Sequence, residues 1–296
     1  MRTSDSNSYD YCTLVREAEE LVAQYPWIEL TTIGHSVLER PLLALRIGVG
    51  AHKVHYNASF HANEWITTPL LMTFVRQYAE AVACGENLYG IDARSVYELN
   101  TLWVVPMVNP DGVELVLHGA DSCESVYDQI VHWNGGSHDF NNWKANIRGV
   151  DLNDQFPAHW DVERERRDVP GPGPRDYTGE APLTEPEAAA IAHFTQKQQF
   201  DLVMALHSQG REIYWNYRDF EPDYAESLAQ CLAQASGYEA VKLTGSDAGY
   251  KDWFIQDFRR PGFTIEVGYG VNPLPIAEFS QIYEEVAPLL LQGLIT

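Results

Sequence analysis

The segment 101–108, TLWVVPMV, has one polar side chain and no charge. A strand with one wet face alternates apolar and polar residues, whereas a continuous apolar run must be covered on both faces. The chain therefore needs a sheet with layers above and below it. Further strands are expected at 28–34, 42–49 (LLALRIGV), 53–60 (KVHYNASF), 201–207 (DLVMALH), 239–243 and 262–267 (GFTIEV). Helical periodicity occupies 11–25, ending at Pro26, and 65–83, 185–199, 222–236, 250–258 and 276–293. The helix at 185–199 carries its own start signal, with Thr184 as N-cap, Pro186 at the first helical position and Glu187 three residues after the cap. Residues 119–150 read as irregular, and 168–184, with Pro170, Gly171, Pro172, Gly173 and Pro174, as loop. Strands alternating with helices at this spacing predict an α/β fold, a mixed, mostly parallel twisted sheet with helices on both faces. No linker divides residues 1–296, so one domain is expected, with 1–27 a helical segment packed on it. In such sheets ligands bind beyond the carboxyl ends of the strands.

Charge narrows the partners. The 42 Asp and Glu against 20 Lys and Arg leave a net charge of −22, the opposite of a nucleic-acid or anionic-membrane footprint. The cysteines Cys12, Cys84, Cys123 and Cys231 form no Cys-x-x-Cys pair and suit a reduced compartment. Met1 to Asp10 is polar, and no apolar run approaches the roughly 18 residues of a membrane span. No signal peptide and no membrane insertion are read, so the cytoplasm is the default compartment, short of a non-classical release to the cell wall. A monomer is expected.

Three of the predicted strands end in chemistry. The strand 53–60 runs into His61-Ala62-Asn63-Glu64, the strand 201–207 ends in His207-Ser208, and the strand 262–267 carries Glu266. His61 and Glu64, three residues apart on a turn entering a helix, point the same way. Two histidines and a carboxylate, with a fourth position left to water, form the ligand set of an open zinc site. Taken alone, His-x-x-Glu is a common pair, and His207 equally suits a packed core histidine. Glu266 lies in an apolar strand, where an unpartnered carboxylate is costly.

In chain order the sequence reads His61-Ala62-Asn63-Glu64, Asn109-Pro110-Asp111-Gly112, Gly149-Val150-Asp151-Leu152-Asn153, His207-Ser208, Asp252-Trp253 and Thr264-Ile265-Glu266. This series resembles the zinc metallocarboxypeptidases from about residue 30 to 290. The resemblance implies a carboxypeptidase-like catalytic domain with one zinc held by His61, Glu64 and His207, and Glu266 as general base. It implies a cation for the tetrahedral intermediate five residues before Gly149, which is Lys144, with Arg148 as the alternative. It also implies a cis peptide between Ser208 and Gln209.

Two departures bear on the substrate. Ordinary members of the family end the third motif in Asn-Arg, which grips a terminal carboxylate. This chain reads Asn153-Asp154, with the charge inverted. The residue before Asp252-Trp253, at the base of the leaving-residue pocket in the family, is Lys251. An Asp for an ammonium and a Lys for a carboxylate suit a leaving residue with a second amino-acid centre, such as meso-diaminopimelate. In these stretches the chain resembles the γ-D-glutamyl-meso-diaminopimelate peptidases, so a peptidoglycan-derived peptide is the expected substrate. The other reading is that Asp154 and Lys251 pair with each other or with surface partners. The family's substrate-binding Tyr would fall at Thr244, and Tyr250 either replaces it or only lines the pocket. A zinc amidohydrolase of N-acyl amino acids and a metallocarboxypeptidase of other specificity remain alternative functions.

Overall fold

The run around 101–108 forms a strand over Asn100–Val105, buried along its whole length near the middle of an eight-stranded sheet. The computed structural model describes residues 8–120 and 126–295. In chain order the elements are α1 (Tyr11–Gln24), β1 (Glu29–His35), β2 (Pro41–Gly48), β3 (His52–Ala58), α2 (Thr67–Cys84), β4 (Asn87–Leu88), β5 (Ile91–Asp92), α3 (Ala93–Leu99), β6 (Asn100–Val105), α4 (Pro110–His118), α5 (Tyr127–Trp133), α6 (Trp160–Arg167), α7 (Pro186–Gln198), β7 (Leu202–His207), β8 (Glu212–Tyr214), α8 (Ala225–Ser236), β9 (Glu239–Val241), α9 (Tyr250–Phe258), β10 (Gly262–Glu266) and α10 (Phe279–Gln292). Single 3-10 turns cover Ala62–Glu64, Leu152–Asp154 and Ile276–Glu278.

The sheet order is β1-β2-β6-β3-β7-β10-β8-β9. Its middle strands β6, β3, β7 and β10 are mutually parallel, while β1, β2 and β8 add antiparallel pairings at the flanks. Successive side chains point to opposite faces. Val54, Tyr56, Met204 and Leu206 join one apolar cluster with Leu14 of α1, Leu70 of α2, Leu232 of α8 and Leu290 of α10. Val203 and Ala205 join another with Ile191 and Phe194 of α7 and Phe254 of α9. Helices thus cover both faces, as the apolar strands require, and α1 is anchored by Leu14, Ala18 and Leu21. A third cluster, with Trp143, Phe140, Ile130, Leu115 and Ala62, packs the 3-10 turn after β3 against the long irregular stretch. Among the described residues no helix is long and apolar enough to cross a membrane.

Some elements differ from expectation. The cap of α7 is Glu185, not Thr184, because Gln155 Oε1 accepts from both Thr184 N and Thr184 Oγ1 at 2.9 and 3.1 Å. Helix α5 lies inside the stretch expected to be irregular. Helix α6, WDVERERR, has acids in its first turn and arginines in its last, the order the helix dipole favours. Cys12, Cys84 and Cys231 are free and exposed, whereas Cys123 and the first residues of the polar N-terminus lie outside the described residues.

Candidate active site

Three neighbouring strands bring their carboxyl ends to one edge. In the parallel register Ala58 of β3 sits opposite Leu206 of β7, and His207 of β7 opposite Glu266 of β10. After β3 the chain turns at Ser59, whose φ of 52° is left-handed. Ser59 N donates to Thr67 Oγ1 at 3.0 Å, tying the strand end to α2. Asn109 donates to Phe60 O at 3.1 Å and Ala145 O at 3.0 Å, and accepts from Gly112 N at 3.0 Å as the cap of α4. A Cβ on Gly112 would stand 2.6 Å from Asn109 Oδ1 and 2.8 Å from Ala145 O, so only glycine fits there. The Asn109–Gly112 motif is thus a clamp that holds the end of β3 against residue 145.

On that edge His61, Glu64 and His207 converge, all buried. Glu64 Oε1 lies 2.8 Å from His61 Nδ1, and Glu64 Oε2 lies 3.1 Å from His207 Nδ1. The two Nδ1 atoms are 3.1 Å apart. Facing nitrogens at that distance cannot both carry protons, and together with a carboxylate they form a divalent-cation set suited to zinc. Asp151 Oδ1 meets His61 Nε2 at 3.1 Å, the carboxylate–histidine support common behind zinc ligands. Burial works against a protonated His61, but the Glu64 and Asp151 carboxylates outweigh it and hold the ring up at about 9. Burial pushes His207 down from its ordinary value, against the pull of Glu64.

Glu64 opens onto a cavity of about 360 Å³ whose walls also include Lys144, Arg175, Tyr214, Glu266 and Asn272. Burial, then the Glu64 charge, pushes the Glu266 carboxyl up to about 8, with Lys144 and His61 opposing. Lys144 Nζ is 3.6 Å from Glu64 Oε1. Burial disfavours its ammonium, yet Glu64, Asp151 and Glu266 hold it above the usual range. Arg148 points elsewhere, half-exposed and 3.6 Å from Glu185. Ser208 N donates to Glu64 Oε2 at 3.2 Å, and Ser208 Oγ to Asn272 Oδ1 at 2.8 Å. The Ser208–Gln209 peptide is cis, as expected from the resemblance, and so is Asn272–Pro273. A larger cavity, about 670 Å³, lies under β1 beside α7 against Trp103 and Phe194, away from the strand ends. A second group of possible ligands, Asp10, Glu114 and His118, is occupied with helix ends. There Asp10 accepts from Thr13 N and Glu114 from Tyr11 N, each at 2.8 Å.

The residues assigned to the substrate lie elsewhere. Asp154 does not open into the cavity, since only 3% of it is exposed and Arg167 of α6 covers it. Arg167 Nε stands 2.8 Å from Asp154 Oδ2, and Nη2 donates to Oδ1 at 3.1 Å. Burial and then Asp151 push the Asp154 carboxyl up, with Arg167 opposing. Lys251 is buried too, donating to Asp252 Oδ1 at 2.5 Å and to Asn216 O at 2.7 Å. A charge taken out of water needs such a partner, and each residue has found one of its own. Asn153 Oδ1 accepts from Tyr250 N at 3.3 Å and does not line the cavity. Tyr250 is a core residue rather than a pocket residue. It is packed with Phe60, Phe156 and Trp253, and its hydroxyl lies 2.9 Å from Thr195 Oγ1. Thr244 lines a separate cavity with Arg218 and Asp247. Sequence reasoning missed Arg167, Arg175, Asn272 and Tyr214. Of these, Arg167 was the most legible, as part of the basic last turn of an unread helix.

A buried carboxylate and a cation beside a two-His, one-Glu cluster, at the carboxyl edge of a mostly parallel sheet, are the arrangement of a metal-dependent hydrolase. Residues 14–288 match the family model for zinc carboxypeptidase, peptidase family M14, and the chain belongs to that family, whose members use one zinc. It is 49% identical over 287 residues to γ-D-glutamyl-L-diamino acid endopeptidase 1 of Lysinibacillus sphaericus, covering 97% of this chain and 72% of that one. It is 40% identical over 291 residues to an uncharacterized protein of Bacillus subtilis strain 168, covering 97% of this chain and 77% of that one. Among solved structures it is similar in fold to bovine thrombin-activatable fibrinolysis inhibitor, with a TM-score of 0.72 at 19% identity, covering 97% of this chain and 96% of that one.

Proposed function

We propose that this chain is a zinc peptidase that hydrolyses the γ-D-glutamyl–meso-diaminopimelate bond of peptidoglycan-derived peptides. The observation that carries the chemistry is the buried cluster of His61, Glu64 and His207, whose Glu64 lines a cavity shared with Glu266 and Lys144. The substrate class is supported by the 49% identity to a γ-D-glutamyl-L-diamino acid endopeptidase. It is supported further by the loss of the family's terminal-carboxylate arginine, since the position holds Asp154, buried against Arg167.

His61, Glu64 and His207 would hold the zinc, with Asp151 fixing the ring of His61. Zinc, when bound, acts as a Lewis acid towards water and the scissile carbonyl. Glu266 takes a proton from the attacking water and later delivers it to the departing amine as the carbon–nitrogen bond breaks. Lys144 places its ammonium on the negative charge that develops at the carbonyl oxygen. Ser208 N and Asn272 Nδ2 donate to the two carboxylate oxygens of Glu64 and orient it.

Digestion of L-Ala-γ-D-Glu-meso-diaminopimelate in ¹⁸O-water tests this reading. One heavy oxygen in the γ-carboxyl of glutamate, with free diaminopimelate released, supports it. Label on alanine, or release of an acyl group from a single amino acid instead, overturns it.

A further inference from the structure

Arg175 stands in the wall of the cavity that also takes in Lys144, Glu64 and Glu266. Its backbone position is fixed. The carbonyl of Pro174 accepts from Lys144 N at 2.7 Å and Ala145 N at 3.0 Å, so the loop is clamped to the segment that carries Lys144. The Arg175 side chain is half-exposed, and its ion-pair partner among the described residues is the adjacent Asp176, whose Oδ2 lies 3.1 Å from Nε. Asp176 is shared with Arg167, whose Nη1 is 3.1 Å from Oδ1. A carboxylate that engages Nε leaves the two terminal nitrogens for another ligand.

The other cations nearby are committed. Lys251 is closed on Asp252 and Asn216, Arg167 is closed on Asp154, and Lys144 is assigned to the charge that develops at the carbonyl oxygen. The chain carries a charge of −22, so an acidic peptide is repelled at a distance and must meet a local cation to bind. A guanidinium fork matches a carboxylate through two parallel hydrogen bonds.

We propose that Arg175 binds a substrate carboxylate flanking the scissile amide and thereby sets a preference for acidic peptides. This rests on the γ-D-glutamyl reading only for the identity of the carboxylate. A γ-linked glutamyl residue keeps its α-carboxylate free on the acyl side, and diaminopimelate brings two carboxylates on the amine side.

The test compares the parent, Arg175→Gln and Arg175→Lys on L-Ala-γ-D-Glu-meso-diaminopimelate and on three analogues. One has the glutamyl α-carboxylate amidated, one has the α-carboxylate of the leaving residue amidated, and one replaces diaminopimelate by L-lysine. The parent should lose about ten- to a hundredfold in kcat/KM on one analogue. Arg175→Gln should lose as much on the full substrate, mostly in KM, and nothing further on that same analogue, with Arg175→Lys in between. Equal loss by Arg175→Gln on all four substrates, or no loss on any, overturns the proposal. If the parent cleaves none of them but trims ordinary C-terminal peptides, the substrate reading alone fails. Arg175 is then judged by the same comparison between such a peptide and its terminal amide.

Discussion

Glu266 and His207 are direct register partners on adjacent parallel strands, β10 and β7. Backbone pairing therefore sets the separation between the proposed base and a proposed zinc ligand, and a change of side chain leaves it in place. Glu266→Gln keeps the shape and cannot take a proton. It should retain zinc at one per chain while kcat falls by at least about a hundredfold. A loss below tenfold, with zinc retained, would assign the proton transfer to another group.

Metal removal should separate activity from fold. The sheet has apolar clusters on both faces that do not include the metal ligands, so chelation should abolish turnover and leave the far-ultraviolet circular dichroism essentially unchanged. His207→Ala should lose stoichiometric zinc. A His207→Ala protein with one zinc and full turnover contradicts the assigned ligand set.

The Asp154–Arg167 pair gives a stability prediction. Arg167→Ala strands a carboxylate that is only 3% exposed. Breaking a buried pair costs about 3–5 kcal/mol. The partly solvated guanidinium of Arg167 reduces the expected loss to about 1–3 kcal/mol. Arg148→Ala, on the surface, should stay within about 0.5 kcal/mol. Urea unfolding of both variants reads the difference, and equal midpoints would mean that the pair does not contribute.

Glu187 provides a pH dependence away from the active site. Burial, with smaller pushes from Asp111 and Glu185, raises its carboxyl from 4.5 to about 8. The native state then holds a proton that the unfolded chain releases. The contribution to stability is full below the unfolded pKa and is lost as pH rises through the window to about 8. Glu187→Gln should flatten that fall, as seen in urea midpoints measured at both ends of the window. An unchanged slope would place the protons elsewhere.

The residues legible in the sequence were those whose chemistry is local. His61 and Glu64 share one turn, and His207 and Glu266 end apolar runs, so strand order alone brings them together. Helix α9 falls at 250–258 as read. What stayed hidden were relationships made by folding. The sequence shows that Asp154 inverts a charge, but not that Arg167, on a helix not read from periodicity, closes over it. It shows a Lys251-Asp252 neighbour pair without showing that both are buried together. A tyrosine can present either its ring or its hydroxyl, and Thr195, far along the chain, decides the case of Tyr250. Arg175 lies in a Pro- and Gly-rich loop with no period, and backbone hydrogen bonds to Lys144, Ala145 and Gly149 hold that loop at the cavity.

The most direct test of the proposed activity is the ratio of kcat/KM for L-Ala-γ-D-Glu-meso-diaminopimelate to that for an ordinary peptide with a free C-terminal carboxylate, measured side by side with the zinc-loaded protein. The expected result is a preference of at least about a hundredfold for the γ-D-glutamyl substrate, a floor below the roughly 10⁴- to 10⁵-fold by which a site built for polar groups rejects a ligand lacking them. Equal or greater efficiency on the ordinary peptide would contradict it and make the chain a carboxypeptidase of the usual kind.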